Sequence, residues 1–177
     1  MTADTGMAFV IAQHRGLDQP EILVDLLAAS TKMLVVQVKQ GMLLRPNCVY
    51  VMPPRIDMTI ENDRFSLRQM QQPPGWPKTI DIFLCSPAEA MRERAVAVIL
   101  SGLDGDGSAA LKAVKTGGEI TFAQSDAKFG SMSQTAVETG RIDYTLPAFD
   151  IAKALSALAS QAPGRGVLSI RSGELRT

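Results

Sequence analysis

Ala95-Val-Ala-Val-Ile-Leu-Ser-Gly-Leu-Asp-Gly-Asp-Gly107 is the stretch that decides how this chain folds. Its first six residues form an unbroken apolar run, the pattern of a strand buried on both faces in a parallel sheet. A loop with three glycines and two carboxylates follows directly. Ser108–Thr116 then reads as a helix with apolar Ala109, Leu111, Ala113 and Val114, and Gly117-Gly118 is its stop signal. In open parallel sheets, chemistry collects where the carboxyl ends of strands meet such loops. The loop is therefore a candidate site, with Asp104 and Asp106 as its chemical groups.

Outward from this point, strands and helices alternate. Met7–Ala12 is a second continuous apolar run, ending at Gln13-His14-Arg15-Gly16. Pro20 and Glu21 suit the start of a helix, and Ile22, Leu23, Leu26 and Leu27 carry the spacing of one buried helical face. Met33–Val38 and Cys48–Met52 read as strands. Met58–Leu67 reads as a β-hairpin turning at Asn62-Asp63, and Gln69–Lys78, with three prolines, reads as a loop. Further helices are expected at Ile80–Arg92, Met132–Thr139 and Phe149–Ser160, and strands at Glu119–Ala123 and Asp143–Leu146. The pattern predicts an α/β fold: a doubly wound, mostly parallel sheet with helices on both faces and one antiparallel hairpin. One domain over residues 1–160 is expected, with 161–177 as a flexible tail or linker.

Composition narrows the function classes. The 177 residues carry 18 basic and 18 acidic side chains, so no charge excess points to nucleic acid or an anionic membrane. No apolar run reaches membrane-spanning length, and no charged segment followed by an apolar one marks a leader at the N-terminus. Cys48 and Cys85 form no C-x-x-C pair, which suggests neither a zinc site nor a disulfide framework. They read as buried thiols of a cytoplasmic protein.

His14 is the sole histidine. It stands just past a buried strand, and an imidazole there suits a general base; a surface or capping histidine is the plainer alternative. Asp106 also follows a buried strand, so the two groups can meet at one sheet edge as a base and its orienting acid. The plainer reading of the Ser101–Gly107 loop is a turn in which Asp106 caps a helix start. A phosphate cradle built on Gly102, Gly105 and Gly107 is a further alternative, disfavoured by the two carboxylates inside it. A calcium loop counted from Asp104 places Lys115 where a bidentate glutamate is needed.

Several ordered blocks together resemble a known family. MAFVIAQH, RPNCVYVMPP, DIFLCS, RAVAVILSGLDGDG and GRIDYTLP look like the CheB-type chemotaxis protein-glutamate methylesterase domain, as found fused to a CheR-type methyltransferase. The resemblance covers roughly residues 2–158. It implies a doubly wound α/β fold and a Ser-His-Asp triad that hydrolyses glutamyl methyl esters on receptors. It also implies no cofactor and no metal, and a cytoplasmic place in phosphorelay signalling. Partners would be a methylated chemoreceptor-like protein and a CheR-type domain, with no nucleic acid and no membrane insertion. Carried over by motif, the catalytic pair is His14 and Asp106, with Gly102, Leu103, Gly105 and Gly107 lining the loop beside it.

The departures are as specific as the match. In the family the nucleophilic serine lies in a G-x-S-x-G-G turn after a first strand, upstream of the Q-H block. Here the thirteen residues before His14 contain no serine. Ser101, Ser131 and Ser133 read as structural. Asp104 replaces a family glycine, and Leu103 stands where methionine is usual. No nucleophile is therefore assigned, and very low or absent methylesterase turnover is expected, with a non-catalytic module binding receptor helices or a methyltransferase domain as the alternative. A sheet without its first strand is further expected to leave strand edges unpaired and to self-associate.

Overall fold

The computed structural model describes residues 4–13, 22–70, 79–90, 95–102, 106–161 and 166–170. Nine strands and five helices follow one another among them. They are β1 (Ala8–Ala12), α1 (Ile22–Ser30), β2 (Leu34–Gln37), β3 (Cys48–Val51), β4 (Ile56–Glu61), β5 (Arg64–Gln69) and α2 (Thr79–Ala90). After these come β6 (Ala95–Ile99), α3 (Leu111–Thr116), β7 (Ile120–Gln124), α4 (Ser131–Glu138), β8 (Tyr144–Leu146), α5 (Ala148–Gln161) and β9 (Gly166–Ile170).

Seven strands form one sheet in the order β2-β3-β1-β9-β6-β7-β8, and every pairing in it is parallel. β4 and β5 make a separate antiparallel hairpin. Its turn residues Asn62 and Asp63 both have positive φ, at 51° and 59°. This is the backbone of the tight turn whose twist matches the paired strands, and Asn and Asp tolerate it best after glycine.

Side chains alternate across the sheet because successive Cβ atoms point to opposite faces. Met7, just before β1, and Phe9 of β1 join Val96 and Val98 of β6 under Ile151, Leu155 and Ala159 of α5, with Leu27 of α1 at the margin. On the other face, Ala8, Val10 and Ala12 pack against Met58, Ile60 and Phe65 of the hairpin and Phe83 of α2. Ala97 and Ile99 of β6 meet Ile80 and Leu84 of α2, Leu111 and Val114 of α3, and Met132 and Ala136 of α4. Helices thus cover both faces of a mostly parallel sheet, as the alternating pattern predicts.

The structure corrects three sequence-based expectations. Gly166–Ile170, read as part of a tail, is instead the central strand, paired along its length with β1 on one side and β6 on the other. Its composition hides this, because glycine and serine interrupt the apolar run. The sheet edges expected to be bare are consequently filled, since β9 supplies hydrogen-bond partners to β1 and β6. Cys48 and Cys85, read as buried, are only half-buried.

Candidate functional site

β1, β9 and β6 run the same way, so their carboxyl ends open at one edge of the sheet. Across that edge Ala12, Ile170 and Ile99 stand in register. The loop that leaves β6 carries Asp106, and the carboxylate of Asp106 is held by backbone donors. Its Oδ2 accepts the N–H of Ile80 at 3.0 Å. Its Oδ1 accepts the N–H of Asp81 at 3.1 Å and that of Gly107 at 2.9 Å. Ile80 and Asp81 are in the first turn of α2, whose leading N–H groups have no partners within the helix. A carboxylate at that point satisfies them and sits favourably against the helix dipole.

The arrangement is reciprocal. The Asp81 carboxylate reaches back and accepts the N–H of Ala110, just before α3, at 2.9 Å. Burial pushes the Asp81 carboxyl above its ordinary range, and the Asp106 charge beside it acts in the same direction. Thr79 and Ser108 flank the pair with buried hydroxyl oxygens that lack a hydrogen-bond partner among the described residues.

Gly107 makes the close approach of loop and helix possible. It has φ of 91°, and a Cβ there would stand 2.8 Å from Cγ2 of Ile80. Gly102 ties the loop to the next element: its N–H donates to the Phe129 carbonyl at 2.8 Å, and its own carbonyl accepts from the Ser131 hydroxyl at 3.0 Å and the Met132 N–H at 3.2 Å. Ser133 donates its hydroxyl to the Gly130 carbonyl at 3.1 Å. The Ser131 and Ser133 hydroxyls are thus committed to fastening the start of α4, as their sequence context suggests.

Of the residues expected at the site, Asp106 and Gly107 come together at the start of α2, while Gly102 is tied to the start of α4. His14, Leu103 and Gly105, together with Asp104, lie outside the described residues, and so does the contact expected between His14 and Asp106. The capping reading of Asp106 is realised, but on α2 rather than on the helix that follows it in sequence. Asp81 was missed by sequence reading. The only signal was an acidic residue in the first turn of a predicted helix.

The CheB methylesterase family profile matches residues 1–155. The chain belongs to the CheB methylesterase family. Among similar proteins, it is 30% identical over 158 residues to protein-glutamate methylesterase/protein-glutamine glutaminase 1 of Myxococcus xanthus, covering 85% of this chain and 45% of that protein. It is 30% identical over 164 residues to the methylesterase/glutaminase of the group 3 operon of Rhizobium meliloti, covering 90% and 46%. A 104.1 kDa protein of Rhodobacter capsulatus is 38% identical over 130 residues, 70% of this chain but 13% of its own length. The chain thus spans less than half the length of these relatives. The fold matches that of the Thermotoga maritima CheB methylesterase catalytic domain, with a TM-score of 0.75 at 22% identity, over 86% of this chain and 98% of the other.

Among the described residues, no helix is long and apolar enough to cross a membrane, and no group of three or more His, Cys, Asp or Glu is placed to hold a metal ion.

Proposed function

We propose that this chain is a protein-glutamate methylesterase domain that acts on glutamyl methyl esters of chemoreceptor-like proteins in the cytoplasm, within phosphorelay signalling, with a methyltransferase domain as a further partner. His14 is the general base, and Asp106 holds its imidazole in the productive tautomer and balances the imidazolium that forms. The observation that carries this reading is the sheet edge: β1, which ends two residues before His14, and β6, which ends in the Asp106 loop, are separated by a single parallel strand. Catalysis at such an edge needs no metal, because proton transfer and an activated hydroxyl suffice for ester hydrolysis.

Methanol release from a methylated receptor fragment tests the reading. Methanol release that disappears in His14→Ala is expected. Absence of methanol release by the wild type would refute the esterase reading, and turnover indifferent to His14→Ala would refute the assignment of the base.

A second reading, a non-catalytic module that binds receptor helices or a methyltransferase domain, is favoured by one observation. Both Asp106 oxygens already accept backbone N–H groups, so the residue has a structural occupation of its own. Receptor-fragment binding that survives His14→Ala, with no methanol released by either protein, is the outcome this reading expects.

A further inference from the structure

Asp81 stands in the first turn of α2, where its own backbone N–H and that of Ile80 are capped by Asp106. Its side chain faces back across the same gap. One oxygen, Oδ1, accepts the N–H of Ala110 at 2.9 Å. The carboxyl group also lies against the N–H of Gly107 and within hydrogen-bonding reach of the Asp106 carboxylate. Two half-buried acids thus meet side by side at the carboxyl edge of the sheet.

Two ionised carboxylates in contact repel, and partial burial makes the second charge costlier still. Backbone donors divide unequally between them. Asp106 accepts three N–H groups through both oxygens, which suits it to carry the charge, while Asp81 accepts that of Ala110. Among the described residues no cation is bonded to Asp81. Of the elements packed against α2, β6 has no titratable side chain and β4 carries Asp57 and the exposed Glu61. α3 carries the exposed Lys112, and Lys115, whose ammonium is bonded to Asp143. Cys85 lies one turn along α2 itself. The hydroxyl oxygens of Thr79 and Ser108 have no partner among the described residues, so neither hydroxyl is bonded to Asp81. Burial first, and then the Asp106 charge, favour the protonated form of Asp81.

We propose that Asp81 is a positioning residue for Asp106: the pair holds one proton, carried on Oδ2 of Asp81 and donated to the Asp106 carboxylate, and this bond fixes the aim of Asp106 at the sheet edge. The effect on turnover rests on the ester-hydrolysis reading above, whereas the shared proton is a property of the two acids. A hydrogen bond from a carboxylic acid to a carboxylate belongs to the short, strong class. It adds a side-chain restraint to the main-chain donors that already hold Asp106. Loss of the proton sets two anions face to face and loosens Asp106, so turnover declines as pH rises through the ionisation of Asp81.

The test follows the side-chain carboxyl carbons of the full chain, labelled with carbon-13 aspartate, by NMR titration, alongside methanol release from a peptide bearing a glutamyl methyl ester. Asp81 is expected to ionise above the ordinary aspartate value of about 3.9, and Asp106→Asn should lower the pH at which it does so. Asp81→Ala should cut kcat by about 10- to 100-fold, the scale of a displaced group in an active site, with little change in KM. In Asp81→Asn the NH2 replaces the O–H as donor and the amide oxygen still accepts the Ala110 N–H. That variant should recover most of the loss and remove the decline at high pH. An Asp81 that titrates at the ordinary value, or Asp81→Asn as impaired as Asp81→Ala, overturns the proposal. If the wild type releases no methanol, the ester-hydrolysis reading falls, and the NMR titration alone decides whether the pair shares a proton.

Discussion

Asp106 and Asp81 cap each other's segments: Asp106 accepts the backbone N–H of Asp81 at 3.1 Å, while the Asp81 carboxylate accepts the N–H of Ala110 at 2.9 Å. The loop after β6 and the start of α2 are thereby locked across the carboxyl edge of the sheet. Any chemistry at Asp106 takes place on a residue that also maintains the fold, and the two roles respond differently to substitution.

Asp106→Asn keeps one oxygen to accept the N–H groups of Asp81 and Gly107 but turns its NH2, a donor, toward the N–H of Ile80, so part of the cap is lost. It should cost about 1–3 kcal/mol in stability through the unpaired Ile80 N–H, whereas methanol release should fall by roughly 10³–10⁴, as expected when a triad histidine loses its orienting carboxylate. Asp106→Ala removes all three acceptors and should cost more stability than Asp106→Asn does. Parallel melting and turnover assays separate the effects; equal losses of activity and stability in Asp106→Asn would speak for a purely structural residue.

Glu119 gives the fold a measurable pH dependence. It is 1% exposed, and neither carboxyl oxygen has a hydrogen-bond partner among the described residues. Burial pushes its pKa from 4.5 up to about 8, against the pull of the Lys115 charge, whose ammonium bonds the Glu119 backbone carbonyl and the Asp143 carboxylate. Below pH 4.5 both folded and unfolded chains hold the proton. Between 4.5 and 8 only the folded chain does, so stability falls through that window and levels off above it, by at most about 1.4 kcal/mol per pH unit. Urea denaturation from pH 4 to 9 should show this decline, and Glu119→Gln should flatten it.

Gly107→Ala should destabilise the domain by about 1–3 kcal/mol, since the new Cβ meets Ile80 at 2.8 Å from a backbone that L-residues rarely adopt. Because the same glycine N–H bonds Asp106, the effect should appear as loss of the α2 cap. Faster hydrogen exchange at Ile80 and Asp81 than elsewhere in α2 is the expected signature.

Leu168→Pro tests the central position of β9. Leu168 pairs with Val10 and with Ala97, and proline removes a ladder donor where no edge is available to accommodate it. Loss of cooperative melting, with self-association through the bared flanks of β1 and β6, is the expected result. A variant that melts as the wild type does would place β9 outside the sheet.

The legible parts of the fold were those with strong local signals. Ala95–Ile99 is apolar without a break and is buried on both faces. The Asn62-Asp63 turn identifies its own hairpin, and α4 and α5 follow their apolar spacing within a residue or two. Gly166-Val-Leu-Ser-Ile170 was not legible, because a central strand is defined by its neighbours, and those neighbours are far away in sequence. The site was readable at Asp106 through its motif and unreadable at Asp81, whose role depends on a contact with Ala110, twenty-nine positions later. Periodicity reports a residue's own element and says little about what lies across the gap.

The place of β9 also sets an order of events for folding. Phe9 pairs with Val167, 158 positions later in the chain, so the middle of the sheet depends on one of the most non-local contacts the sequence allows. On the ribosome, β1 emerges long before its neighbour exists. The β2-β3-β1 and β6-β7-β8 halves can each assemble from shorter-range pairings, but they cannot join until residues 166–170 have been made. Such closure is slow, since a long loop must be ordered before its contacts reward it. During that interval the flanks of β1 and β6 are open to other chains, which makes this a protein whose yield depends on expression rate and temperature.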